Sequence, residues 1–182
     1  MASLGERMMG AAKLDVSTYE EVEADTTATP QAMIVVVVSA LAAGIGSIGD
    51  NGIKGMIIVT VAALVGWFIW AGLTYLIGTK ILPEPETKAD VGELLRTTGF
   101  SQSPGVLRVL GIVPVLGGLI TLVVSIWMLV AFVIAVRQAL DYKSTGRAVG
   151  VCLIGFIVYF VVMFGIMMVL GVGAASMGAI TS

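Results

Sequence analysis

Histidine does not occur in the 182 residues, cysteine occurs once, and charged side chains make up only 12% of the chain. Without imidazole the commonest metal ligand and the usual general base are missing, and axial ligation of haem through histidine is excluded, so no cofactor or metal is expected. The single Cys152 rules out an internal disulfide, and its apolar surroundings mark it as a small buried hydrophobe. A polybasic arm is absent too: the first 29 residues carry Glu6, Asp15, Glu20, Glu21, Glu23 and Asp25 against Arg7 and Lys13. Nucleic acid is therefore not an expected partner. The N-terminal residues hold no apolar run leading to a cleavage site and no glycine after the first Met, which predicts neither a cleaved secretory signal nor myristoylation.

The absence that decides most is local. Residues 31–49, 55–79, 109–136 and 148–182 contain no Asp, Glu, Lys or Arg. An ionised group at a bilayer centre costs about 2.5–3.5 kcal/mol, so such stretches are what a membrane interior selects. With 58% hydrophobic residues and a mean hydropathy of +1.03, the chain reads as an all-α integral membrane bundle.

A crossing helix needs about 20 apolar residues. Residues 31–49, 55–81 and 148–174 each supply one, and Asp50-Asn51-Gly52 reads as a tight turn between the first two. Residues 104–138 are too long for one straight span, and Pro114, Gly117 and Gly118 mark a helix break. This predicts a short third helix near 104–114, either crossing or re-entrant, and a full span near 118–138. Five crossings with the N-terminus inside place Arg7, Lys13, Lys80, Lys88, Arg96, Arg137, Lys143 and Arg147 on the inner side, Arg108 near the inner end of the short segment, and Lys54 outside. The C-terminus then lies outside.

The polar parts divide the chain into a cytoplasmic segment 1–29 and a membrane domain 30–182 with a cytoplasmic loop 82–105. Ser17 and Glu20 have capping-box spacing and predict a short acidic surface helix over 14–26. In the loop, Val91, Leu94, Leu95 and Phe100 predict an amphipathic helix along the inner membrane surface, with Glu93 and Arg96 paired. Arg137 and Asp141 suggest a helix-end ion pair, and Lys143 and Arg147 suggest contact with lipid headgroups. Glu20, Glu21, Glu93, Arg96, Arg137, Lys143 and Arg147 are the candidate contacts for a partner or lipid. Small residues four apart, such as Ala40 and Gly44, Ala42 and Gly46, Ala62 and Gly66, Gly146 and Gly150, and Gly171 and Ala175, predict close helix packing. Trp67, Phe68, Trp70 and Trp127, together with Met163, Met167 and Met168, read as packing bulk.

The stretch ELLRTTGFSQSPGVLRVLGIVPVLGGLITLVVSIWMLVAFVIAVRQALDY, followed by STGRAVGVCLIGFIVY, resembles bacterial members of the Yip1 family of polytopic membrane proteins. RMMGAAKLDVSTYEEVEADTTATPQAM resembles their N-terminal part. The resemblance implies five spans, a cytoplasmic N-terminus and, in a bacterium, the cytoplasmic membrane. Eukaryotic relatives bind Rab-type GTPases, often as hetero-oligomers. The DLYGP sequence and tyrosine-rich motif of those relatives are missing here, so the resemblance does not extend to Rab binding.

Three functions are open to such a chain. A non-enzymatic scaffold or accessory subunit, working through contacts with other membrane proteins, a second copy or lipid, suits its packing glycines and surface helices. A small-solute transporter or channel would use the break at Pro114, Gly117 and Gly118, with Thr60, Thr74, Tyr75, Thr121, Ser125 and Tyr159 as the polar groups inside the bilayer. An intramembrane enzyme is the poorest fit, because neither a Ser–His dyad nor an aspartyl pair can be assembled there.

Overall fold

The computed structural model describes residues 2–46, 48–113 and 115–169. Pro114, the Gly171–Ala175 pair and the C-terminus lie outside the described residues. Every regular element among the described residues is helical: α1 Leu4–Ala12, α2 Val16–Ala24, α3 Thr29–Gly46, α4 Ile48–Leu76, α5 Val91–Phe100, a 3-10 helix Ser103–Ile112, α6 Gly117–Ala139 and α7 Thr145–Val169. Four stretches are long and apolar enough to cross a membrane, namely Thr26–Gly46, Met56–Ile81, Gly117–Ala139 and Thr145–Val162. The chain is a helical membrane bundle.

Contacts fix the directions. Gly44 packs on Met56 and Gly99 on both Ala32 and Trp67, so α4 returns antiparallel to α3. Gly99, Gly105 and Gly111 meet Ala32, Ser39 and Gly46 in order, so the chain from the end of α5 through the 3-10 helix runs beside α3 in its own direction. The lengths of these two helices are about 15 Å and about 20 Å, enough in series to match a hydrocarbon core of about 30 Å. The third passage is thus composite, jointed at Ser101-Gln102. It does not double back to the end where it began: the 3-10 helix stops at Ile112, Val115 takes a positive φ of 71°, and Gly117 opens α6 against the backbone of Gly111. α6 then returns, with Ser125 at Arg108, Met128 at Gly105 and Gln138 at Glu20. Five alternating passages result, of which four are long and apolar enough to cross a membrane.

Three local expectations are corrected. Asp50, Asn51 and Gly52 lie inside α4, which begins at Ile48, and not in a turn between two helices. Ser17 does not open a capping box. Asp15 caps α2 through the Ser17 N–H, while the capping boxes are Ser3 with Glu6 on α1 and Asp90 with Glu93 on α5. The Ser17 hydroxyl donates to the same Asp15 carboxylate, which places Ser17 inside the first turn of α2 and not ahead of it. Finally, α5 does not lie on a surface. Leu94 through Phe100 are all buried, and α1, α2, α3, α4 and α6 surround the helix. Thr97 and Thr98 read as polar in the sequence, yet their hydroxyls donate back to the carbonyls of Glu93 and Leu94, so their polarity is already satisfied inside the core.

The core sits at the α1–α2 end of the bundle. Tyr19 and Val22 of α2 pack with Val35 of α3, Leu94 and Phe100 of α5, and Val136 and Leu140 at the end of α6. Towards the opposite end the helices splay, exposing Ile57 and Ile58, Leu119 and Leu122, and Phe160 and Val161, as expected of lipid-facing surface. Of the small-residue pairs, those on α3 are tight, Gly46 lying against the Arg108 carbonyl. Ala62 and Gly146 are exposed and Gly66 has open space before it, so those pairs make no seam.

Candidate functional site

Two places gather functional side chains. The first is the α1–α2 end. Arg7 of α1 is 2% exposed and donates to Glu21 (3.0 Å) and Asp25 (2.6 Å) at the end of α2 and to Gln31 (3.0 Å) on α3. The Thr27 hydroxyl and the Arg7 guanidinium hold the Asp25 carboxyl down at about 2. Arg96 of α5 is also buried and donates to the carbonyls of Val22 and Glu23, closing the C-terminus of α2 where the helix dipole favours a cation. Two buried arginines therefore fasten the N-terminal helices to the membrane bundle.

The expected pairings at this end are redistributed. Glu93 caps α5 instead of meeting Arg96. Arg137 donates to the carbonyls of Tyr142 and Lys143, not to Asp141, whose φ of 53° turns the chain from α6 towards α7. The left-handed turn at Asp141 folds the α6–α7 connection back so that its carbonyls at Tyr142 and Lys143 face the Arg137 guanidinium. Lys143 pairs with Glu86 (2.7 Å) and Arg147 with Glu84 (3.5 Å), tying the 82–90 loop to the start of α7. Tyr142 donates to Gly78 and Leu82 and closes the π-turn Ile77–Ile81 after α4. Glu20, Glu23, Arg137, Asp141 and Lys143 border a recess of about 250 Å³. Burial, reinforced by Asp141, Glu93 and Glu20, pushes the Glu23 carboxyl up to about 7.

The second place is a cavity of about 570 Å³ in the looser half of the bundle, walled by α3, α4, α6, α7 and the 3-10 helix. Trp70 forms its aromatic side, against Phe132, Phe156 and Tyr159 at centroid distances of 6.0, 5.1 and 5.7 Å. Arg108 enters it, donating to the Ser125 hydroxyl at 3.1 Å, while its Nε is buried with no hydrogen-bond partner. Ser125 stands about 12 Å along α6 from its first residue, so the guanidinium lies beside the membrane-length helix α6 and not at its end. This corrects the expected position of Arg108 near the inner end. The short segment carries it parallel to α3 to the level of Gly46.

Arg108 is the residue that span counting missed. It is the one charge between Arg96 and Arg137, and it stands on the 3-10 helix beside the membrane-length helices α3 and α6, where a half-buried guanidinium met by one neutral hydroxyl points to function. Of the break residues, Gly117 packs on Gly111 and Gly118 faces open space. Thr60 and Thr74 bond to their own helix. Trp67 is not plain bulk, since its indole donates to Leu95 and Thr98, and the Trp127 indole donates to Ala12 of α1.

Compared with protein-family models, residues 16–166 match the Yip1 domain. No curated protein and no solved structure matches the chain.

Proposed function

The chain belongs to the Yip1 family, and on that premise we propose that it is a non-enzymatic scaffold or accessory subunit of a bacterial cytoplasmic membrane, with its α1–α2 end in the cytoplasm. The observation that carries this reading is the mounting of α1 and α2. Buried Arg7 and Arg96 hold them against the bundle, while Glu20, Glu21, Lys143 and Arg147 remain exposed on the same end, as a rigid docking surface requires. Lys80, Arg137, Lys143 and Arg147 gather there, which favours the inner side of the membrane.

Purification of the tagged protein in mild detergent at native expression, with mass spectrometry of what stays bound, tests the reading. A stoichiometric membrane protein, lost when exposed Glu20 is changed to Lys, is the expected result, and a clean partner-free protein counts against it. Sidedness is tested with a cysteine placed at exposed Ser17. An impermeant maleimide should label it only once the inner face is opened to reagent, because the native Cys152 is buried.

Transport of a small solute is the second reading, favoured by the jointed third passage beside a cavity that contains Arg108. It predicts flux in proteoliposomes that falls on Arg108→Gln.

A further inference from the structure

We infer that the Arg108 cavity binds the anionic head of an amphiphile, a phosphate or carboxylate carried on an apolar tail. Arg7 and Arg96 are buried and Arg108 is half-buried in the cavity, and the three are treated differently. Arg7 is met by two carboxylates and an amide, and Arg96 by two helix-end carbonyls. Arg108 has the Ser125 hydroxyl on one nitrogen, an Nε shielded from solvent with nothing to donate to, and no acidic side chain among the residues lining the cavity. A guanidinium is a planar fork matched to an oxyanion, and a neutral hydroxyl leaves its charge uncompensated. No described residue lining the cavity is acidic, so the compensating charge is assigned to a bound anion.

The rest of the cavity says what carries that charge. Its volume of about 570 Å³ falls within the usual range for a bound small molecule, about 300–1,000 Å³. Trp67, Trp70, Met128, Leu129, Phe132 and Phe156 give it an apolar wall, and Gly66 leaves open space beside them. A free inorganic anion would use Arg108 and leave that wall unfilled, whereas a tail fills it. The inference is independent of any protein partner at the α1–α2 end.

Trp67 and Trp70 make the site self-reporting. The full chain, purified in a mild non-ionic detergent and washed free of lipid, is titrated with short-chain phosphatidylglycerol, the matching uncharged diacylglycerol, and inorganic phosphate, while tryptophan emission and thermal midpoint are followed. Phosphatidylglycerol should give a saturable change in emission and raise the midpoint, and the other two should do neither. Arg108→Gln should weaken that binding about tenfold or more, the loss expected when a charge-assisted hydrogen bond is removed. Arg108→Gln should also raise the lipid-free midpoint, because it removes an unmet charge. Gly66→Leu fills the cavity without touching the charge and should likewise abolish the response, so the test survives if Arg108→Gln fails to fold. Unchanged affinity in Gly66→Leu, or in a folded Arg108→Gln, overturns the site. Saturation by diacylglycerol overturns the role of the head, and saturation by phosphate alone overturns that of the tail and assigns a free anion.

Discussion

Arg7 and Glu23 show what single side chains do at the α1–α2 end. Arg7 is almost fully buried between Asp25, Glu21 and Gln31, so Arg7→Ala strands one shielded carboxylate and should cost about 3 kcal/mol. Arg7→Met, which keeps the volume, should cost less; thermal unfolding of both in detergent checks the order. Glu23 makes stability depend on pH. Its folded carboxyl, at about 7, keeps its proton where the unfolded chain, near 4.5, has lost it. Between those values the folded state binds more protons, so stability falls as pH rises through the window and levels off above it. Asp25 works the other way and at lower pH, its contribution being lost as pH falls towards 2. Glu23→Gln should flatten the profile between pH 4.5 and 7 and leave the acid limb unchanged; a slope that persists in this variant refutes the assignment.

The composite third passage belongs to the scale of elements. Its two halves stay close to α3 because glycines let backbone meet backbone, Gly46 lying against the Arg108 carbonyl and Gly105 against Ser39. Gly46→Ala should therefore wedge α3 from the 3-10 helix and cost about 1–3 kcal/mol. Gly72→Ala, where a Cβ meets nothing within 4 Å, should stabilise by roughly 0.5–1 kcal/mol through helix propensity. Equal effects of the two would refute the packing. At the reversal into α6, Val115 is a β-branched residue in the left-handed region and 99% exposed, so Val115→Gly should relieve about 1–2 kcal/mol of strain, visible as a higher unfolding midpoint.

At the scale of the molecule, packing is lopsided. Tyr19, Val22 and Ala28 complete the core formed by α3, α5 and the end of α6, and α1 accepts a hydrogen bond from Trp127 midway along α6. The N-terminal helices are therefore part of the folded bundle. Removing residues 1–28 should uncover Leu94 and Phe100 and leave Arg96 without its carbonyls, so the truncated chain should lose its monodisperse peak on size exclusion in detergent. Hydrogen exchange on the intact chain should be slowest in α5 and faster around Val161, Val162 and Phe164 of α7, whose side chains face outwards.

The sequence by itself determined that this is a helical membrane protein and where its long helices lie, because charge-free runs of membrane length depend on no partner. It also determined the family, and that the chain turns between Ile112 and Gly117, where proline and glycines punctuate a run too long for one helix. Only the tertiary structure decided that α5 is buried, since threonine hydroxyls hide their polarity in their own helix, a bond that a hydrophobicity pattern cannot register. It also decided the partners of Arg7, Arg96 and Arg137, which chose helix ends and distant carboxylates over the neighbours that i, i+3 and i, i+4 spacing offers. Above all it decided the depth of Arg108, because a residue's position along a jointed passage follows from which helix it runs beside and not from its distance along the chain.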